Sequence, residues 1–242
     1  MKRFTHYAKK RFNALSEQLV KYGESPEPEF LHKIRLEVKK IKAILNVTEF
    51  CVNGFNAHRH YLPSRSIFRK AGEIRQTDVL EELFRKYKIN PRIVEKKANL
   101  DSRKLISSFQ KGLPAFISSL EKQRNLSDSF KKVKHSCFRN YLNRKKLELQ
   151  RQLYPQLNQR ELHKTRKTIK EILYLSPITK KSNKKPDPYY DKLQVMIGEW
   201  HDKQIVVAML NVNKNSSELR QLKAECHRDI KNIKRLIHEF YD

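Results

Sequence analysis

Apolar residues recur at three- and four-residue steps along almost the whole of this chain, and an α-helix is the element that buries such a pattern on one face. In the first segment Phe4, Ala8, Phe12, Leu15 and Leu19 share a stripe closed by Tyr22-Gly23. G-E-S-P-E-P-E-F reads as a linker, with Ser25 as N-cap and Pro26 in the first turn of a second helix that runs to about Cys51. The spacing predicts a third helix from about Pro63 to Gly72 and a fourth to about Lys88. Asn90-Pro91 opens a fifth, interrupted at K-G-L-P, and N-L-S-D-S near Leu126 marks a boundary. A long helix is expected from Ser129 to Tyr154. Asn158 and Glu161 have the spacing of a capping box for the next helix, which ends near L-S-P-I-T-K-K-S-N-K-K-P-D-P. Two shorter helices are expected over Tyr190–Gly198 and His201–Asn211. The last runs from Ser216 to Phe240, with Ile230, Ile233, Ile237 and Phe240 inward. No strand-like run competes. Only five glycines among 242 residues leave few for the turns of a β fold.

A chain of this length suits one large domain or two small ones, with room for a real core. Its charge bears on partners rather than on fold. Lys and Arg number 53 against 26 Asp and Glu, a formal net charge of +27. Such a field attracts polyanions and speeds encounter with them, at the cost of self-repulsion in the compact state.

Two stretches repeat one another. Leu31–Lys42 reads L-H-K-I-R-L-E-V-K-K-I-K, and Leu162–Ile172 reads L-H-K-T-R-K-T-I-K-E-I. On a helix His32, Arg35, Lys39 and Lys42 fall within about 80° of one another. They border an apolar face of Leu31, Ile34, Val38, Ile41 and Leu45. Like charges one turn apart cost about 0.2–0.5 kcal/mol per pair. His163, Arg166 and Lys170 repeat the ridge. Self-repulsion written twice is best explained by a bound anion that relieves it. The residue types suit phosphate: Arg offers a planar fork, Lys a mobile point charge, and His a titratable donor. Steps of about 5 Å along the ridge suit a repeating anion better than a single phosphate group. No Gly-rich phosphate loop is present. The two halves follow one order, His32 matching His163 and Gly72 matching Gly198. They divide the chain into a first helical half, 1–125, and a second, 126–242.

The duplicated His-x-x-Arg-x-x-x-Lys helix resembles the CHAD domain, the conserved histidine α-helical domain. Two further stretches carry the likeness. A-G-E-I-R-Q-T-D-V-L at Ala71–Leu80 is similar to the family's G-x-x-R-D-x-D-V, and K-L-Q-V-M-I-G-E-W-H-D at Lys192–Asp202 to its L-Q-x-x-L-G-x-x-x-D. The likeness covers nearly the whole chain, as a single CHAD-like domain over 1–242. It implies an all-α fold of two pseudo-symmetric antiparallel four-helix bundles, with a basic channel or groove between them. It also implies non-catalytic binding of inorganic polyphosphate by the ridges lining that channel. The resemblance gives phosphate-binding roles to His32, Arg35, Lys39, Lys40, Lys42 and Arg75 in the first half, and to His163, Arg166, Lys170 and Lys192 in the second. Arg65 and Arg69, ahead of Gly72, join them from position. So do Arg228, Lys231 and Arg235, a basic ridge on the last helix. The chain departs from the family in having Gln76 after Arg75. It also has Glu171 and Leu173 at the places matching Lys40 and Lys42. The second ridge is therefore thinner, and the first is expected to carry more of the affinity.

RNA or another nucleic acid is the alternative partner, since phosphate contacts dominate affinity there too. It ranks second because the ridges lack interleaved aromatics, Phe and Tyr falling at apolar-face spacing. An enzyme ranks third. No carboxylates cluster near the ridges to hold Mg²⁺, and E-P-E-F-L at Glu27–Leu31 lacks the Lys of the triphosphatase motif that often accompanies CHAD domains. His201-Asp202 alone is a poor metal pair, so no metal or cofactor is expected. Trp200 is expected in the core. Cys51, Cys137 and Cys226 are widely spaced and odd in number, which suits buried free thiols in a reducing compartment. The N-terminus has no apolar signal core, and no run approaches the ~18 apolar residues of a membrane span. A cytoplasmic protein associated with polyphosphate granules is expected, with no membrane insertion.

Overall fold

A computed structural model describes residues 1–89, 102–153, 157–179, 187–210 and 217–239, and every regular element among them is helical. Helix α1 spans Lys2–Glu24, α2 Pro28–Cys51, α3 Ala57–Lys86, α4 Ser102–Gln123 and α5 Ser127–Lys132. They are followed by α6 His135–Gln152, α7 Gln159–Thr179, α8 Pro188–Leu210 and α9 Ser217–His238. A single 3-10 turn, Arg124–Leu126, precedes α5. No described helix is long and apolar enough to cross a membrane.

Several boundaries differ from the sequence expectation, each for a local reason. Helix α2 begins at Pro28 rather than after Ser25. Pro28 holds Glu27 extended, at φ −81 and ψ 143, so no helical turn forms ahead of it. Ser25 closes α1 instead, its N–H donating to the Lys21 carbonyl at 2.9 Å. Helix α3 runs unbroken through Pro63 and Gly72, and α8 through Gly198. Glycine costs a helix about 1 kcal/mol, and the buried residues on either side, Ile67, Ala71, Ile74 and Leu80 in α3, outweigh it. Helix α4 likewise passes Gly112 and Pro114. The long helix expected over Ser129–Tyr154 is divided instead. Val133 is fully buried in an extended conformation, φ −65 and ψ 109, and its carbonyl accepts the N-terminal amine at 3.2 Å. The capping box of α7 is present in both directions. The Asn158 N–H donates to Glu161 Oε2 at 2.8 Å, and the Glu161 N–H to Asn158 Oδ1 at 3.0 Å. Asn90-Pro91, Tyr154, Asn211, Ser216 and Phe240 lie outside the described residues.

The chain packs into two compact units. Unit 1 comprises Met1–Gln76, Asp101–Arg144 and Tyr174–Ser182; unit 2 comprises Thr77–Leu100, Lys145–Leu173 and Asn183–Asp242. These units interleave along the chain, and the 125/126 division of the sequence falls inside unit 1. Helices α3, α6 and α7 each contribute residues to both. In unit 1 the stripe of α2, Leu31, Ile34, Val38, Ile41 and Leu45, is wholly buried. Each such side chain is worth about 1.5–3 kcal/mol. Aromatic rings fill the same core: Phe4 lies 6.2 Å from Phe130 and 5.8 Å from Phe138. Unit 2 has its own core, where Trp200 is buried with Leu162, Ile169, Ile197, Leu222 and Ile233.

The cysteines also depart from expectation. Cys51, the last residue of α2, and Cys137, in the first turn of α6, form a disulfide within unit 1, their Cα atoms 5.8 Å apart. Only Cys226 is a free buried thiol. The free-thiol ground for a reducing compartment is therefore lost for two of the three. The pairing was illegible because the partners are 86 positions apart in sequence and helix packing brings them together.

Candidate functional site

The ridge of α2 lies against α3 in unit 1. Arg35 donates from Nη1 to the Phe68 carbonyl at 2.9 Å, and its guanidinium stands 4.1 Å from the centre of the Phe68 ring. Lys39 lies over the same ring at 5.6 Å, and Lys42 over the Tyr61 ring at 5.2 Å. The cations ascend α2 while the rings descend α3, as antiparallel neighbours must. Each contact contributes about 0.5–2 kcal/mol. Together they offset part of the repulsion within the ridge. The half-buried aromatics that meet these cations are not interleaved in the ridge but come from the neighbouring helix.

Glycine makes the close approach possible. A Cβ at Gly72 would overlap Nη1 of Arg35. The guanidinium therefore rests directly on the α3 backbone and shares the carbonyl that ends one helical turn before that glycine. Burial, with the nearby positive charge of Arg75, pushes the Arg35 pKa down. Tyr61, whose ring Lys42 covers, has its pKa raised by burial against the opposing pull of Arg65 and Arg35. Arg65 and Arg69 are exposed one turn apart on α3, and His32 is exposed at the start of the ridge. Among the described residues Arg35, Lys42, Arg65 and Arg69 pair with no carboxylate.

Lys40 is placed differently from Lys39. About 100° further round α2, its Nζ pairs with Glu37 Oε1 at 2.7 Å, and Arg11 of α1 pairs with the same oxygen at 3.1 Å. Glu37 is 7% exposed, so this is an internal charge cluster rather than part of the ridge.

Unit 2 repeats the central contact. Arg166 of α7 donates from Nε to the Gln194 carbonyl at 3.0 Å. Gln194 lies four residues before Gly198, as Phe68 lies four before Gly72. A Cβ at Gly198 would stand 2.9 Å from Cζ of Arg166, so this glycine too is occupied by a guanidinium. The rest of the ridge is altered. The position matching Phe68 is Gln194, and that matching Arg65 is Asp191, whose Oδ1 accepts from Gln194 Nε2 at 3.1 Å. Glu171, in place of Lys40, faces Lys145 at 3.4 Å. Lys170 is half-buried and Lys192 exposed. Arg228, Lys231 and Arg235 are exposed on α9, opposite its buried Leu222, Cys226 and Ile233, and their side chains make no hydrogen bond or ion pair among the described residues. The structure does not join them to Arg166.

His163 of α7 meets His201 of α8, ring centroids 5.1 Å apart. Phe68 and Tyr61 are site residues without a sequence expectation, and His201, weighed from the sequence only as half of a metal pair with Asp202, meets His163 instead. The available signal was the frame G-E-I-R at Gly72–Arg75 and G-E-W-H at Gly198–His201, which places Arg75 and His201 at one position of the repeat. Among the described residues no three His, Cys, Asp or Glu side chains are grouped so as to hold a metal ion. No protein-family model, curated protein or solved structure matches the chain.

Proposed function

We propose that this protein binds inorganic polyphosphate without catalysis, on the α2–α3 face of unit 1 and, more weakly, on the α7–α8 face of unit 2. One observation carries the reading: Arg35, Lys42, Arg65 and Arg69 pair with no carboxylate among the described residues. Meanwhile Arg11, Lys40, Lys145 and Lys203 are matched to Glu or Asp within their units. Cations clustered without counter-charge, two of them over aromatic rings, are arranged for a charge supplied from outside. A phosphate chain supplies one charge per unit along its length, so successive stretches of it can engage cations spaced about 5 Å apart along the ridge. The repeated Arg–Gly contact supports the pair of pseudo-symmetric four-helix bundles that the CHAD resemblance implies. A cytoplasmic setting beside polyphosphate granules belongs to the same reading.

RNA is the second reading, favoured by the half-buried rings of Phe68 and Tyr61. Base stacking needs an open ring face, and Arg35, Lys39 and Lys42 already lie over these rings. The deciding experiment measures affinity for long-chain polyphosphate and for single-stranded RNA of equal charge across a salt series. Clear preference for polyphosphate is expected. Equal or tighter binding of RNA replaces the first reading with the second.

A further inference from the structure

Unit 2 holds a group that a permanently charged ridge does not account for. His163 and His201 stand ring to ring at 5.1 Å, and Nδ1 of His163 is buried with no hydrogen-bond partner. Arg166, one turn along α7, is pinned to the Gln194 carbonyl on the helix that carries His201. In unit 1 the residue three beyond the glycine is Arg75, and its charge is felt by Arg35. In unit 2 the residue three beyond the glycine is His201. One frame thus holds a guanidinium, charged at every physiological pH, and the other an imidazole, whose charge depends on pH.

We infer that His163, His201 and Arg166 form a proton-gated phosphate site, where one phosphate group of a polyphosphate chain binds with uptake of protons from solvent onto the imidazole pair. The Arg35–Arg75 face of unit 1 binds without that requirement. The inference rests on the polyphosphate reading and adds its regulation by pH.

The surroundings decide the sign. Burial, the charges of Lys167 and Arg166 and the second imidazole all hold the His163 pKa below its usual value. The free His163 imidazole therefore stays neutral near neutral pH. The nearby carboxylates are engaged: Glu148 of α6 and Glu171 of α7 with Lys145, Glu225 and Asp229 of α9 with Lys203, and Glu161 of α7 with the Asn158 N–H. Asp202, next on α8, is turned about 100° away round the helix. A bound phosphate supplies the missing negative charge and raises the imidazole pKa in the complex. Affinity then rises as pH falls through the usual imidazole range and levels off below the lowered value of the free His163. Two imidazoles would otherwise suit a divalent cation, but Arg166 and Lys167 beside them repel one.

The test is calorimetry of the full chain with long-chain inorganic polyphosphate at about pH 7.5 and about pH 5.5, in buffers of different ionisation enthalpy, which counts protons taken up. The parent should take up protons and tighten about tenfold. His201→Arg should bind at the higher pH about as tightly as the parent does at the lower, with the pH slope reduced. His201→Gln should stay weak at both. Far-UV circular dichroism confirms that each variant is folded, and His163→Asn gives an independent loss of the slope should His201→Gln unfold. If the parent binds but all three variants keep its slope and proton uptake, the gate lies elsewhere, with His32 as the control variant, and this inference falls alone. If the parent binds polyphosphate at neither pH, the functional reading fails and takes the inference with it.

Discussion

The guanidinium of Arg35 fills the space that a side chain at Gly72 would occupy, and donates at 2.9 Å to the carbonyl of Phe68 one turn earlier. Arg166 does the same at Gly198 and Gln194. Each ridge is thereby anchored to the backbone of the next helix at its arginine, and the remaining cations take their alignment from that anchor.

Gly72→Ala should displace Arg35 without unfolding unit 1, because the overlapping atom is the far end of a flexible side chain. Alanine adds about 1 kcal/mol of helix propensity, set against a charged hydrogen bond of about 1.5–3 kcal/mol. A net loss of about 1 kcal/mol in urea unfolding is expected, with polyphosphate affinity reduced about fivefold. Unchanged affinity would mean that the alignment of Arg35 is not needed for binding.

Replacing Arg35 and Lys39 together by Gln removes two cations from the ridge. Polyphosphate affinity should fall by tenfold or more, and the slope of log affinity against log salt should flatten by about 1–2. The helical circular dichroism should persist. A double variant that binds like the parent would falsify the assignment of the α2 ridge.

Lys40→Gln should separate structure from binding. Its Nζ is 2.7 Å from Glu37 Oε1, in a pair whose side chains are 18% and 9% exposed. Removing one partner of a shielded pair costs about 1–2 kcal/mol, and Arg11 remains to hold Glu37. Urea unfolding should register that loss while polyphosphate affinity stays within about twofold. A tenfold affinity loss at unchanged stability would return Lys40 to the ridge.

The Cys51–Cys137 link closes a loop of 86 residues. Chain-entropy reasoning assigns such a closure about 4.6 kcal/mol. Reductant should lower the urea midpoint of unit 1 accordingly, and Cys51→Ser should match the reduced protein and no longer respond to reductant.

Acid should weaken unit 2 through Glu225. The Tyr87 hydroxyl donates to Glu225, and this hydrogen bond, aided by Gln221 and Lys203 against the effect of burial, holds the carboxyl below its usual value of 4.5. A carboxyl depressed on folding contributes stability present above that value and lost as pH falls through the folded pKa. Lys203 acts in the opposite direction. Burial alone would lower it, but Asp229 and Glu225 outweigh burial and raise it above 10.5, so its contribution fades only at strongly alkaline pH. Tyr87→Phe should flatten the fall of the urea midpoint between about pH 6 and about pH 3. An acid limb as steep as the parent's would remove Glu225 from this role.

Local sequence determines what depends on residues a few positions apart. The helical class, the buried stripes of α1 and α2, the Asn158–Glu161 capping box and the His-x-x-Arg ridges all follow from a 3.6-residue period that assigns each side chain to a face. Tertiary structure alone decided what each face meets. Gly72 and Gly198 read locally as helix ends, because glycine weakens a helix. Only the arrival of Arg35 and Arg166 from neighbouring helices shows them to be contact points within continuous helices. Adjacent residues on one helix, Lys39 and Lys40, divide between Phe68 and Glu37 because 100° of rotation turns them toward different neighbours. Phe68 under Lys39, His201 beside His163 and Cys137 beside Cys51 come from segments about 30 to 90 residues distant. Their meeting is set by the register in which whole helices bury their apolar faces, a collective free energy that no local stretch of sequence carries.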